Sequence, residues 1–285
     1  FPHMLSTSLL ALGSVQQLSV CQGGACMRGG SKIFTEVAKA LASQTPEDEF
    51  KIINCGCLGP CPRGVAVRAL GGSSGKGTFT LPAFGDGDFL LALENAADVL
   101  SDDFALDVSD AKASLIAKHS GDVELASGDW SGAIARYGEA IESQLGGDLL
   151  AQAQEAERPA QLPIFGLTKG LAAEREAERL RPPRVRWLFE AFIRRCEARL
   201  ASGDPEEVEA ALGDAEAATA LCSLADEGYY RKWDAADAIG DEDAASAATA
   251  ELSRLGYSLE PGKEGEQDAN AKPAVKLDYW GRPMA

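Results

Sequence analysis

Two glycine-rich stretches hold five of the seven cysteines of the chain, and they limit its possible folds more than any other feature. The first is "VCQGGACMRGGSKIF" at residues 20–34, and the second is "INCGCLGPCPRG" at residues 53–64. Glycine does not build a packed core; it lets the backbone approach another group closely and leaves N–H groups free to point at it. The clustering therefore favours a chemical site. Cys196 and Cys222, which lie outside the stretches, are expected to be core residues.

Several kinds of cysteine chemistry compete for these stretches. A disulfide framework is disfavoured because seven cysteines cannot all pair and because a chain of 285 residues can bury a core large enough to fold without disulfides. A thioredoxin-type dithiol needs the spacing C-x-x-C, which does not occur here. A zinc site needs four nitrogen or sulfur ligands, and His3 and His119 lie far from the cysteines in sequence. These alternatives stay open beside an iron–sulfur cluster.

A 2Fe–2S cluster suits the spacing of the two stretches. Four thiolates bind its two irons, two on each, and the two pairs can come from different loops. Cys21 and Cys26 would supply one pair, and Cys57 and Cys61 would supply the other. Cys55 would then be a spare neighbour. Because each stretch follows a strand-like segment, both loops can meet at one end of a sheet.

The first hundred residues alternate between strand-like and helix-like patterns, which predicts an α/β unit. A helix from Ser31 to Ala42 is expected to be capped by Ser31 and to bury Ile33, Val37 and Leu41. The glycine-rich "GGSSGKG" lacks the spacing of a phosphate-binding loop. The predicted strands cover residues 16–21, 50–55, 65–70 and 78–82, and a second helix covers residues 86–100.

From about Asp107 onward, alanine and glutamate become frequent and strand patterns disappear. Gly-Asp pairs recur at residues 128, 203 and 240, which are 75 and 37 residues apart. This spacing indicates helical hairpins with one irregular unit between them. We therefore predict an N-terminal segment over residues 1–15, an α/β domain over 16–105, an all-α domain over 107–260 and an extended tail over 261–285.

The cysteine stretches, read together as "VCQGGACMRGGS…INCGCLGPCPRGVAV", resemble the thioredoxin-like 2Fe–2S ferredoxins. They are also similar to the small 2Fe–2S subunit of respiratory complex I and of bacterial hydrogenases. The shared features are C-x4-C or a longer spacing, then C-L-G-x-C followed by glycine and a strand. The resemblance implies a thioredoxin-like domain over residues 16–105 that carries a 2Fe–2S cluster, with Cys21, Cys26, Cys57 and Cys61 as ligands. The chain departs from the family in "PRGVAV", and the prolines on both sides of Cys61 make that loop stiffer.

The segment "GDWSGAIARYGEAI" at residues 128–141 resembles a tetratricopeptide repeat. Gly121, Ala133, Tyr137 and Ala140 fall at the positions where that family packs small and aromatic side chains between paired helices. The resemblance implies stacked helical hairpins, which form concave protein-binding surfaces. A plain helical bundle is the alternative.

The charge of the chain limits its partners. A formal net charge of −17 disfavours nucleic acid, whose binding needs a basic face. No apolar run reaches the length of a transmembrane helix. The segment 179–200 is locally basic, and it is either a solvated helix face or a docking strip for an acidic protein or lipid surface. The C-terminal tail, residues 261–285, either has no role or lies in a groove of a partner protein. The predicted partner-binding residues are Arg184, Arg186, Arg194, Arg195, Tyr279 and Trp280.

These patterns favour a 2Fe–2S electron-transfer or redox subunit that docks onto a larger complex, such as a membrane-bound photosynthetic or respiratory one. The alternative is a structural or assembly subunit of an organellar complex, with a structural cluster or none. An enzyme with its own substrate comes third, because the sequence has no Ser/His/Asp set, phosphate loop or dinucleotide fingerprint. An alanine-rich chain without an initial Met or a signal peptide is expected in a plastid, or else in a mitochondrion or bacterial cytoplasm.

Overall fold

The structure is a computed structural model of the 285-residue chain. Its described residues form two compact units, one within residues 1–112 and the other within residues 113–285. We call the first the sheet unit and the second the helical unit. The structure describes residues 15–46, 49–59, 64–72, 77–84, 88–143, 183–223, 225–255 and 257.

The sheet unit is built on four strands in the order β2-β1-β3-β4. β1 and β2 are parallel, whereas β3 is antiparallel to both β1 and β4. All four strands predicted from the sequence are confirmed, and the unit is α/β. The elements are β1 (Gln16–Cys21), α1 (Gly24–Arg28), α2 (Ser31–Leu41), β2 (Phe50–Cys55), β3 (Gly64–Leu70), β4 (Thr78–Pro82) and α3 (Phe89–Asp98), which continues as a π-turn over Val99–Asp103.

One face of this sheet is buried beneath helices. Leu18 and Val20 of β1 are fully buried, and α2 packs against β1, β2 and α3. The predicted apolar face of α2 was partly wrong: Phe34 is fully buried and stacks on Phe84, whereas Ile33 is only half-buried. The predicted cap was also wrong, because Gly30 with φ 90° precedes the helix. A side chain at Gly30 would lie 2.7 Å from the carbonyl oxygen of Phe84, so only glycine fits this turn.

The helical unit consists of helical hairpins whose turns are the Gly-Asp pairs found in the sequence. Gly128, Gly203 and Gly240 adopt left-handed backbone conformations that end one helix of each hairpin. The aspartate that follows each glycine then accepts a backbone N–H bond in the first turn of the next helix. The hairpins pair α4 (Ser109–Ser127) with α5 (Trp130–Glu142), α6 (Pro183–Ser202) with α7 (Pro205–Leu221), and α8 (Asp226–Ile239) with α9 (Glu242–Arg254).

Packing between hairpins is repeat-like, since α5 contacts α6 and α7 contacts α8. Within the first hairpin, the fully buried Tyr137 ring lies against Gly121, where a Cβ would be 2.9 Å from the ring. The Tyr137 hydroxyl donates a hydrogen bond to Asp122 over 2.8 Å. Gly121 and Tyr137 therefore pack together between the paired helices, as expected from the sequence. Across the described part of the chain, no helix combines the length and apolar character needed to cross a membrane.

Candidate metal centre

The parallel pairing of β1 and β2 brings the two cysteine stretches together. Cys21 is the last residue of β1 and lies in register with Cys55, the last residue of β2. The next backbone N–H, that of Gln22, donates to the Cys55 carbonyl over 2.9 Å. Because both strands end at the same edge of the sheet, the loops that follow them meet there, as the sequence predicted.

Cys26 reaches this edge by way of α1, a single helical turn that the sequence analysis missed. The turn has five residues between glycines, too few to show a helical periodicity. It places Cys26 in a buried cluster with Cys21 and Ala66, against which Leu58 packs. Both thiols are fully buried. The two cysteines predicted as one ligand pair therefore do lie together beneath the surface.

Gly23 connects this pair to Cys57 in the second stretch. Its backbone N–H donates to the Cys21 sulfur over 3.4 Å, a contact that stabilises a thiolate. A Cβ at Gly23 would lie 3.4 Å from Cys21 Sγ and 3.7 Å from Cys57 Cβ. Cys21 Sγ and Cys57 Cβ therefore both lie within 4 Å of one point beside Gly23. The Cys57 side chain is exposed. Three predicted ligands occupy one end of the sheet; Cys61 lies outside the described residues.

Cys55 lies among the same thiols and is half-buried. Burial raises the pKa of its thiol, and the neighbouring Cys21 adds to the rise, whereas Arg68 opposes it. A negative charge on Cys21 therefore disfavours a second thiolate at Cys55. Gly56, on the loop beside it, has no atom within 4 Å of the position of a Cβ. The loop is therefore open on its outer side at that residue.

The described thiols can be compared with the ligands that a binuclear cluster needs. Among the described residues, which leave out Cys61, no group of three or more His, Cys, Asp or Glu side chains is placed to hold one ion. A 2Fe–2S cluster needs only two thiolates at each iron. Cys21 and Cys26 lie together and would form one such pair, and Cys57 would be the described member of the other. The thiols that the structure describes therefore fit the cluster.

Two of the four arginines predicted to form a docking strip, Arg194 and Arg195, pair with carboxylates inside the helical unit. Arg195 Nη2 lies 2.6 Å and Nε 3.0 Å from the two carboxylate oxygens of Asp214 on α7. The Arg195 and Asp214 side chains are only 12% and 4% exposed. Arg199 binds the same carboxylate over 3.2 Å. A buried carboxylate on the neighbouring helix therefore neutralises Arg195, which argues against the partner-binding role predicted for it.

Arg194 is also paired, although it is closer to the surface. It lies 2.7 Å from Glu197, and Glu197 in turn contacts Arg231 on α8. Arg186 is half-buried. Carboxylates on α6 itself and on α7 thus offset the positive charge of the α6 segment, which weakens the basis for a docking strip. Arg184's side chain, Tyr279 and Trp280 lie outside the described residues.

The two cysteines of the helical unit are core residues, as predicted. Cys196 is fully buried and packs with Ala211, Ala215 and Ala235. Burial raises the pKa of its thiol to about 12, so it stays protonated at neutral pH. Cys222 is 2% exposed. Neither belongs to the candidate metal centre.

Comparison of the chain with protein-family models, with curated proteins and with solved structures returns no match in any of the three.

Proposed function

We propose that the sheet unit is a thioredoxin-like 2Fe–2S ferredoxin domain and that the protein is an electron-transfer subunit. The observation that carries the proposal is the meeting of Cys21, Cys26 and Cys57 at one end of the sheet. Cys61 follows Cys57 by four residues in the same loop and is the proposed fourth ligand. A bound 2Fe–2S cluster supplies a centre that accepts and returns single electrons.

The topology of the sheet supports this proposal. A parallel β1–β2 pair joined through helices, followed by the antiparallel β3–β4 hairpin and a closing helix, is the element order expected of a thioredoxin-like domain. The parallel pair matters for function because it aligns the ends of β1 and β2. The same alignment brings the loop that follows Cys21 beside the loop that follows Cys55.

The surroundings give each thiol a distinct role. Cys21 and Cys26 are buried and would anchor the cluster, and the Gly23 N–H would stabilise charge on the Cys21 sulfur. Cys57 is exposed, so the loop that carries it forms the side nearest to solvent. We infer that electrons enter and leave on the Cys57 side. The protein needs no substrate pocket for this activity, and we assign no catalytic residue.

We further propose that the helical unit is tetratricopeptide-like and docks the protein onto a larger complex, such as a membrane-bound photosynthetic or respiratory complex in a plastid. Gly121 against Tyr137 and the three Gly-Asp hairpin turns support that proposal. The complete burial of Cys21 and Cys26 favours a second candidate, an assembly subunit whose cluster is structural. Reduction by dithionite separates the two, because a cluster with a purely structural role would resist it.

The ligand assignment is tested with two neighbouring cysteines. We expect Cys57→Ser to bleach or strongly alter the visible absorption of anaerobically purified protein, because one iron loses a thiolate. Cys55→Ser, the matched control two residues away, should keep the absorption of the wild type. Visible absorption spectra at equal protein concentration measure both effects. Loss of the cluster in the Cys55 variant together with its retention in the Cys57 variant would show that the assignment is wrong.

A further inference from the structure

The face of the sheet opposite to the buried, helix-covered one carries residues that have no role in the proposed metal centre. Because side chains alternate along a strand, the strand register assigns Gln17, Ser19 and Cys21 of β1 to the face opposite to the buried Leu18 and Val20. The same register places residues of the other strands beside them. The described members of this face are Gln17, Ser19, Cys21, Lys51, Ile53, Cys55, Ala66, Arg68, Leu70, Thr78, Thr80 and Pro82.

Much of this face is open to solvent, and we call it the open face. Ile53 on β2 is 38% exposed and Leu70 on β3 is 46% exposed. They lie on either side of β1, since Ile53 pairs with Ser19 and Leu70 pairs with Gln17. The open face thus exposes two large apolar side chains, one on either side of β1, which a protein partner would cover on docking.

The charges on the open face all have one sign. Lys51 and Arg68 are exposed there, and no described residue of this face carries a carboxylate. Arg68 donates to Thr78 over 3.1 Å, which holds its side chain across the β3–β4 pair. Residues 15–84 contain seven Lys and Arg against four Asp and Glu, a balance of +3 in a chain of net charge −17. The segment 15–84, which contains all four strands, is therefore locally basic within a strongly acidic protein.

The open face adjoins the candidate metal centre. Cys21, Cys55 and Ala66 belong to the same face, and Cys26 and Leu58 pack over Cys21 and Ala66 at its end. Ile53 precedes Cys55 by two residues, which corresponds to about 7 Å along a strand. A protein that covered Ile53 and Arg68 would therefore lie beside the proposed cluster.

We propose that the open face docks an acidic redox protein, the electron donor or acceptor of the proposed cluster. Its carboxylates would meet Lys51 and Arg68, and an apolar contact would cover Ile53 and Leu70. The electron-transfer role of this partner rests on the proposed function. A positive face on a negative molecule orients an acidic partner during approach, because the rest of the chain repels it. The acidic partner thus meets the sheet unit on the face that adjoins the thiols.

The test uses the full chain and two short fluorescent glutamate-rich peptides, one with a central Leu-Leu pair and the other with Ser-Ser in its place. Fluorescence anisotropy measures their dissociation constants at low and high salt. We expect the double variant Lys51→Glu, Arg68→Glu to weaken binding by about tenfold or more at low salt, and the difference to disappear at high salt. The matched control reverses Lys32 and Lys39 on α2, which gives the same net charge on another element. Ile53→Ser should abolish any preference for the Leu-Leu peptide.

Three outcomes would overturn the inference: no binding by the wild type at low salt, equal weakening by the two double variants, or tighter binding of a DNA duplex than of either peptide. A wild-type dimer that the open-face variant converts to a monomer would also overturn it, since a second copy would then cover the face. The peptide measurement does not depend on the cluster. A chain that holds two irons without binding the peptides contradicts this inference alone, whereas a chain that binds them without iron contradicts the proposed function and the redox role of the partner.

Discussion

Replacing Asp214 with alanine should destabilise the helical unit by about 3–5 kcal/mol, the usual cost of removing one partner from a buried ion pair. Asp214 is 4% exposed on its side chain and binds both Arg195 and Arg199, which are 12% and 17% exposed. Without the carboxylate, two guanidinium groups stay buried beside an alanine-rich helix and lose their shared counter-charge. Urea unfolding, followed by the helical signal in circular dichroism, measures the change in free energy of unfolding.

The matched control for Asp214 is Glu251→Ala, which removes another carboxylate from an arginine. Glu251 and Arg254 are 42% and 43% exposed, and a solvated pair of this kind contributes about 0–1 kcal/mol. The two variants should therefore differ clearly in midpoint of unfolding. If Asp214→Ala unfolds within about 1 kcal/mol of the wild type, the buried pair is not a major source of stability.

Gly64→Ala should disrupt the β3–β4 hairpin and release the proposed cluster. A Cβ at Gly64 would lie 1.9 Å from the Leu81 carbonyl oxygen, a distance that no small movement of a flexible side chain can relieve. We expect a loss of about 3 kcal/mol or more in the stability of the sheet unit, the upper range for overpacking. Because Gly64 begins β3 directly after the Cys57–Cys61 loop, the displacement should also lower the iron content.

Gly56→Ala is the corresponding control, since its added Cβ has no atom within 4 Å. It also lies beside Cys57 in the second stretch, so it tests whether any substitution near the ligands is harmful. We expect the Gly56 variant to keep the iron content and thermal stability of the wild type. Similar losses in both variants would mean that the loop, and not the contact of Gly64 with β4, controls the stability of the site.

The strands and hairpin turns could be predicted because their signals are local. "QQLSVC" and "FKIINC" show strand composition, and the Gly-Asp pairs combine a helix-ending residue with a helix-capping one. The meeting of the two cysteine stretches also followed from local patterns, since parallel strands that end together bring their loops together. The strand order β2-β1-β3-β4 did not follow, because strand pairing depends on contacts between distant residues.

The ion pairing of the arginine segment was not predicted from the sequence. Seven arginines in residues 179–199 suggested a basic surface, yet Arg195 faces a carboxylate nineteen positions away on the next helix. A signal for this pairing was present in α7, where Asp214 shares a face with the buried Ala211 and Ala218. A single carboxylate on an apolar helix face needs a buried cation. Two exposed cations lie instead on one face of the sheet, where Lys51 on β2 and Arg68 on β3 stand on either side of β1 although they are far apart in sequence.

The iron and acid-labile sulfide contents of anaerobically purified full-length protein test the proposed metal centre most directly. The proposal predicts about two irons and two sulfides per chain, as in a 2Fe–2S cluster. It also predicts an electron paramagnetic resonance signal that appears only after reduction with dithionite. Stoichiometric zinc without iron, or a chain that reconstitution with iron and sulfide leaves colourless, would contradict it.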